Sequence, residues 1–406
     1  MAAKKTSQPK APTIKPRMDG YVTKIVPKSI SRARQDIAAW KAALRQAEAA
    51  DNRRRTKLQH IYNDITLDAL LSSQIANRKM LTMGAPFSIK TATGEVDETY
   101  TDLLQKSIWI NKIMGHIIDS IFYGTTVVEL LAENDTLKPV LIPRQNIIPE
   151  TGTLVFDETE TKGIDYRKAR EYGIWLLEFG EPTNFGILNN AVPHVLFKRF
   201  AQSCWSELAE IYGIPPRVLK TNTQDPVMLG RAETMMRDMG AASWFIIDET
   251  EQFEFAKDAT NLTGDVYNNL INLCNNEVSM LISGAVIGQD TVNGNRSKEE
   301  SSMKMLYTLM ESDMRLVESY INNLVMKALF QIGLIPDGLQ FTFDPQEDIP
   351  QLWTMTKEVL PFMEVDPEWI KLKFGIEVTG TKTQAATNSP PSEGAGGGKG
   401  ELGFFD

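Results

Sequence analysis

FGILNNAVPHVLFKRFAQSCWSELAEIYGIPPRVLKTN, residues 185–222, is the stretch on which the reading of this 406-residue chain turns. Phe197, Phe200, Cys204, Leu208 and Ile211 recur at three- and four-residue steps, the spacing of one helical face. Pro193 sits near the start of the pattern, where a missing N–H is tolerated or a kink is wanted. Gly213 and then Pro215-Pro216 stop it. The spacing therefore predicts a helix over 194–212, followed by a strand from Arg217 to Thr221.

Outward from that helix, Val266, Leu270, Leu273, Cys274, Leu281 and Ile282 form the apolar stripe of a second long helix over 263–283, about 30 Å long. Between the two, a short helix over 227–239 carries Met228, Met235, Met236 and Met239, read as core filling. Strands are expected at 243–248 and 252–256, which makes 213–262 a small α/β insertion. An insertion must return the chain close to where it left, so the flanking helices are expected to be antiparallel neighbours. GAVIGQDTVNGNRS, residues 284–297, is too rich in Gly and Asn to continue a helix and reads as a loop. From Lys298 to Gly333 runs a helical pattern without proline that includes Leu306, Met310, Val317, Ile321, Val325 and Ile332. Ordinary helices average about 12 residues, so this one points to an elongated or oligomeric architecture. Leu339–Phe343 alternates as a strand, and residues 350–377 give short helices. The segment 380–400 is a low-complexity tail.

The N-terminal half predicts helices over 31–50, over the stripe from Leu58 to Ile75, and from Leu103 to Phe122, the last ending at Gly124. A strand and a turn at Thr93-Gly94 fall within 86–100. Short strands follow at 125–131, 138–142, 153–157 and 174–179, punctuated by Pro139, Pro143, Pro149 and Gly152. Residues 1–28 hold six lysines and Arg17 against one acid, Asp19, and read as a disordered basic arm.

Composition narrows the function. A hydrophobic content of 42% can build a sizeable core. No apolar run approaches the roughly 20 residues that span a bilayer, and the N-terminus lacks the apolar centre of a secretory signal, so a cytoplasmic site of synthesis and no membrane are expected. A net charge of −9 argues against a protein that grips DNA irrespective of sequence, yet suits a surface along which DNA slides. Cys204, Cys274 and three histidines show no ligand spacing, so neither a metal nor any other cofactor is expected. The nearest approach to a phosphate loop, Gly375 to Lys382, has Thr381 where the lysine belongs. His60, His116 and His194 read as packing or capping residues, and Asp344, Glu347 and Asp348 as a solvent-facing turn. No catalytic residue is assigned, and the chain is not read as an enzyme.

Two motifs together resemble the portal proteins of Mu-like phages. The first is the opening stretch, with Gly186, Lys198, Arg199, Trp205, Glu207, Tyr212, Gly213 and Pro215 in the family's order; the second is ISGAVIGQDTVNGNRS, 282–297. The resemblance implies an α+β portal fold: an α/β wing over 29–193, stem helices at 194–212 and 263–283, and a clip at 213–262 between them. A tunnel loop at 284–297, a long kinked helix at 298–333 and a C-terminal wing or crown region at 334–379 follow, with 380–406 as tail. It also implies a ring of about twelve copies at one capsid vertex. The ring would pass double-stranded DNA without sequence preference. It would meet the terminase large subunit, head-completion or adaptor proteins, and the major capsid and scaffold proteins, in the virion and in the host cytoplasm during assembly. Gln289, Asp290, Asn293, Asn295 and Arg296 would then face the channel, and Arg217, Arg231 and Arg237 would carry the clip contact. The alternatives are another phage head or baseplate structural protein without a DNA channel, which would lack the paired-helix insertion, and a nucleotide-dependent enzyme, which the missing phosphate motifs oppose.

Overall fold

The computed structural model describes residues 36–133, 136–160, 162–213, 217–238, 244–248, 250, 265–286, 296–344, 349–360, 362–363 and 365–377. The basic arm 1–28, Pro215-Pro216, the strand expected at 252–256, the acids Glu347 and Asp348, and the tail 380–406 lie outside the described residues. The chain divides into two units, residues 1–344 and 345–406.

The first unit opens with α1 (Ile37–Glu48), α2 (Thr56–Ile65) and α3 (Ala69–Met83). The stripe from Leu58 to Ile75 predicts one helix where there are two. Asp68 is the reason: its carboxylate accepts from the Leu70 and Leu71 amides, both at 3.1 Å, and so caps a new helix. After β1 (Phe87–Lys90) come α4 (Glu98–Gln105) and α5 (Ile108–Tyr123), again two helices where periodicity gives one. Ser107 lies extended between them, its hydroxyl donating to the Leu103 carbonyl at 2.6 Å, a local bond that competes with helix propagation.

Helix α5 is the centre of the core. Ile110, Ile113, Met114, Ile117, Ile118 and Phe122 are fully buried along it. At its end Gly124 (φ 87) turns the chain so tightly that a Cβ there would stand 2.1 Å from the Asn184 carbonyl oxygen, a site open only to glycine. The strands β2 (Thr125–Glu133) and β3 (Thr136–Leu141) follow, then the two-residue strands β4 (Ile147–Ile148), β5 (Thr153–Leu154) and β6 (Ile164–Asp165), then β7 (Leu176–Gly180). β2 is the middle of an antiparallel β3-β2-β7 sheet that packs on α5, with Val128 opposite both Leu141 and Leu177.

Next comes α6 (Leu188–Gly213), which starts six residues before the expected 194 and so contains Pro193. Proline forfeits the bond to the Asn189 carbonyl, but Leu188, Ala191, Val192 and Val195 are fully buried, and that burial outweighs the loss. β8 (Arg217–Thr221), α7 (Pro226–Asp238) and β9 (Trp244–Asp248) form a strand–helix–strand insertion whose two strands are parallel. α8 (Asp265–Ser283) then packs along α6.

The long helix begins at Arg296 rather than Lys298. It comprises α9 (Arg296–Tyr320), one π-helical turn (Ile321–Val325) and α10 (Met326–Ile332), ending at Gly333 in the left-handed region. The π turn lets the Asn322 side chain bond β10 (Gln340–Phe343) in both directions, donating to the Phe341 carbonyl at 2.8 Å and accepting from its amide at 2.7 Å. β10 pairs antiparallel with β1, and Phe87 stacks on Phe341. In the second unit, α11 (Ile349–Val359) and α12 (Pro367–Phe374) meet where Trp353 of α11 packs on Phe374, which within α12 also takes Trp369.

Candidate functional site

In the α6–α8 pair, the apolar face that spacing assigns to α6 is not its buried one. Phe197 and Phe200, read as part of its apolar face, are 47% and 56% exposed, while Leu188, Ala191, Val192, Val195 and Ala201 are fully buried. The start of α6 is apolar on more than one side, and spacing alone cannot rank two apolar faces. Beyond Ala201, no described residue of α6 is buried, and the same holds for α8 before Cys274. The outer side of α8 repeats the pattern: Val266, Leu273 and Met280, seven residues apart and so on one stripe, are 63%, 55% and 54% exposed. Trp205 adds a half-exposed indole on α6.

Lys198 and Arg199, the basic pair of the opening motif, tie this helix to the body. The Lys198 ammonium is 2.9 Å from the Asp68 carboxylate, with both side chains about nine-tenths buried. Arg199 bonds the Asp64 carboxylate at 2.5 Å and the Asp64 carbonyl at 2.8 Å. Both acids flank the break between α2 and α3, so the residue that caps α3 also holds α6. Cys274 on α8 lies close enough to feel the Lys198 charge, though burial is the stronger influence and pushes its thiol up. Both cysteines are free.

The end of α8 is fastened from two sides. Arg78 of α3 donates to the Ile282 carbonyl at 2.9 Å and grips the Asp313 carboxylate of α9 with two bonds, 2.6 and 2.8 Å. Ser283 donates to the Gln74 side-chain carbonyl, and Ser279 donates to the Ala285 carbonyl at 2.8 Å. Gly284 (φ 72) brings the backbone against Met305 and Leu309 of α9, where a Cβ would meet them at 2.9 and 3.0 Å. Here the segment 284–297 departs. Gln289, Asp290, Asn293 and Asn295 lie outside the described residues, and Arg296 opens α9.

In the insertion, Arg217 opens β8, while Arg231 and Arg237 are exposed on α7. Arg231 and Arg237 do not form one cluster. At 100° per residue, Arg231 falls with Met228 and Met235 on one flank of the buried Ala232–Met236 stripe, and Arg237 falls on the other. The core-filling reading holds for Met236 alone among the described methionines of α7, since Met228 and Met235 are exposed. Asp248, at the end of β9, accepts from the amides and hydroxyls of both Thr223 and Thr250. The Thr223 hydroxyl, foremost among these donors, helps hold its carboxyl well below the usual carboxylate range.

Elsewhere the charged clusters brace the body. Asp119 faces Lys79 at 2.7 Å, Arg144 at 3.3 Å and His116 at 3.7 Å. Burial opposes its ionisation, but those three groups together hold its carboxyl at about 2. His60 pairs with Glu158 at 2.7 Å. A pocket of about 330 Å³ is lined by Ser120, Gly124, Gly180, Glu181, Asn184 and Tyr320 among others. Among the described residues, no group of three or more His, Cys, Asp or Glu side chains could hold a metal ion, and no helix is long and apolar enough to cross a membrane.

Arg78, Asp313 and Gln74 were not singled out by sequence, although a signal exists. Leu71, Gln74, Arg78 and Thr82 are the buried residues of α3 at helical spacing, a polar stripe where a core-facing helix is ordinarily apolar.

The described residues thus give two long packed helices with exposed apolar side chains, a small α/β insertion between them in the chain, and an end of α8 fastened by Arg78 and Gln74. The family model for the portal protein of Mu bacteriophage matches residues 59–376, and the chain belongs to that family. Its members are structural components of the phage virion. Comparison with curated proteins found no match.

Proposed function

We propose that the chain assembles into a closed ring of about twelve copies at one capsid vertex and forms the channel through which DNA is packaged and ejected. The wing is residues 29–193, the stem 194–212 and 263–283, the clip 213–262 and the tunnel loop 284–297. The remaining parts are the long helix 298–333 and the C-terminal wing or crown region 334–379. Gln289, Asp290, Asn293, Asn295 and Arg296 face the bore, where polar, mostly uncharged side chains suit weak contact with a passing duplex. The clip, with Arg217, Arg231 and Arg237, meets the terminase large subunit and later the head-completion proteins.

The observation that carries this reading is the uncovered outer side of α6 and α8. Phe197, Phe200, Val266, Leu273 and Met280 all stand exposed on one hairpin, and large apolar side chains left uncovered in such number favour an interaction surface. Neighbouring copies related by rotation would cover it, since a head-to-tail contact between two different faces closes into a ring when the rotation between copies divides a full turn.

The test is the mass of the purified native particle, followed by class averages from negative-stain images. Rings with a central hole are expected from the wild type, and smaller species from a Phe200→Asp, Leu273→Asp double variant. A variant that still forms wild-type rings would show that this side of the hairpin is not the subunit contact.

A further inference from the structure

A helix leaves its last four carbonyls without partners inside the helix, and a cation near that end both caps them and offsets the dipole. α8 has no basic residue in its last turn. The missing cation comes from another helix. Arg78 of α3 donates through Nη1 to the Ile282 carbonyl, while Nε and Nη2 hold the two carboxylate oxygens of Asp313 on α9. The guanidinium lies 5.7 Å from the centre of the Phe122 ring on α5. Its side chain is 6% exposed and that of Asp313 is 4%. One planar group thus fixes three helices in a single geometry, using a fork of donors that a lysine does not possess. Gln74, one turn earlier on the same face of α3, takes the Ser283 hydroxyl.

We propose that Arg78, seconded by Gln74, is a positioning residue for the end of α8, and through it for the base of the segment 284–297. A buried ion pair is weak evidence for stability, because apolar residues of similar volume often replace one without loss. What such residues would not replace is direction: only the guanidinium ties the Ile282 carbonyl to α3 and α9 together. The role in transport rests on the channel reading given above, whereas the role at the end of α8 does not.

The experiment separates the two. Arg78→Met combined with Asp313→Leu removes both charges and keeps the volume. In full-length assembled protein the melting temperature is expected to hold, while backbone amides of residues 280–286 exchange hydrogen at least about tenfold faster. In a phage whose portal gene is deleted, the variant is expected to yield about tenfold fewer DNA-filled heads than the wild-type chain. If the double variant does not assemble, Arg78→Lys, which keeps the charge but not the fork, is measured in its place, with exchange several-fold faster. Unchanged exchange in the variant measured overturns the assignment whatever the chain transports. Faster exchange with normal filling overturns the transport part. Failure of the wild-type chain itself to fill heads counts against the channel reading and leaves the exchange result standing.

Discussion

Substitution of Asp68 separates its two jobs. Its Oδ1 caps α3 through the Leu70 and Leu71 amides, and both its oxygens lie within reach of the Lys198 ammonium. Asparagine keeps an oxygen for the cap and loses the charge, so Lys198 remains as a buried cation facing a neutral amide. Removing one partner of a fully buried pair costs about 3–5 kcal/mol. The retained amide oxygen lowers this, and Asp68→Asn is expected to cost about 2 kcal/mol. Asp68→Ala loses the cap as well, worth about 1 kcal/mol, together with the remaining acceptor, and is expected to cost about 4 kcal/mol. Lys198→Met leaves a carboxylate still served by two amides and a helix N-terminus, for about 2 kcal/mol. The Asp68→Asn, Lys198→Met double variant buries no net charge and is expected to cost only about 1 kcal/mol, far less than the single variants together. Urea unfolding at one fixed protein concentration measures these values, the concentration held because assembly adds to apparent stability. Single costs that add to within about 0.5 kcal/mol would refute the claim that this pair joins α6 to α3.

Gly124→Ala places a methyl group 2.1 Å from the Asn184 carbonyl oxygen at φ 87, and is expected to cost more than about 4 kcal/mol and to abolish folded protein on expression. Recovery of protein with a wild-type melting temperature would contradict it. Asp119 has a folded-state carboxyl value of about 2 against an ordinary 3.8, so its contribution is fully present above 3.8 and fades as pH falls towards 2. The shift corresponds to about 2 kcal/mol, and Asp119→Asn is expected to flatten the stability profile across that window. An unchanged slope in acid titration of the variant would show that the Lys79, Arg144 and His116 cluster does not act through this carboxylate.

Periodicity located nearly every helix of the first unit, because burial on one face imposes a repeat that the sequence must keep. It missed the breaks at Asp68 and Ser107, where a single short polar side chain takes over a backbone bond and the apolar stripe runs on regardless. It also drew the apolar face of α6 through Phe197 and Phe200, which stand exposed, since a helix with apolar residues on two sides shows two stripes with nothing to order them. The α/β insertion was legible from Gly213, the prolines and the change of period around them. The fastening of α8 was not, because an Arg–Asp pair 235 residues apart leaves no local pattern.

The same distinction bears on what the basic pair of the opening motif does. Under the proposed channel reading, lysine and arginine invite assignment to phosphate contact, and Lys198-Arg199 is such a pair. Both side chains are instead committed to Asp64 and Asp68, and Lys198 is about nine-tenths buried. Each would have to break a charge-assisted bond to reach a phosphate, leaving a carboxylate unpaired at the α2–α3 elbow. Their work is mechanical: α6 is fixed at the head of α3 through Asp68, and α8 is fixed further along α3 through Gln74 and Arg78. Both hairpin helices therefore refer to one helix of the body. A displacement of α3 would carry the hairpin and the start of the 284–297 segment together, because the bonds that hold both helices run to α3.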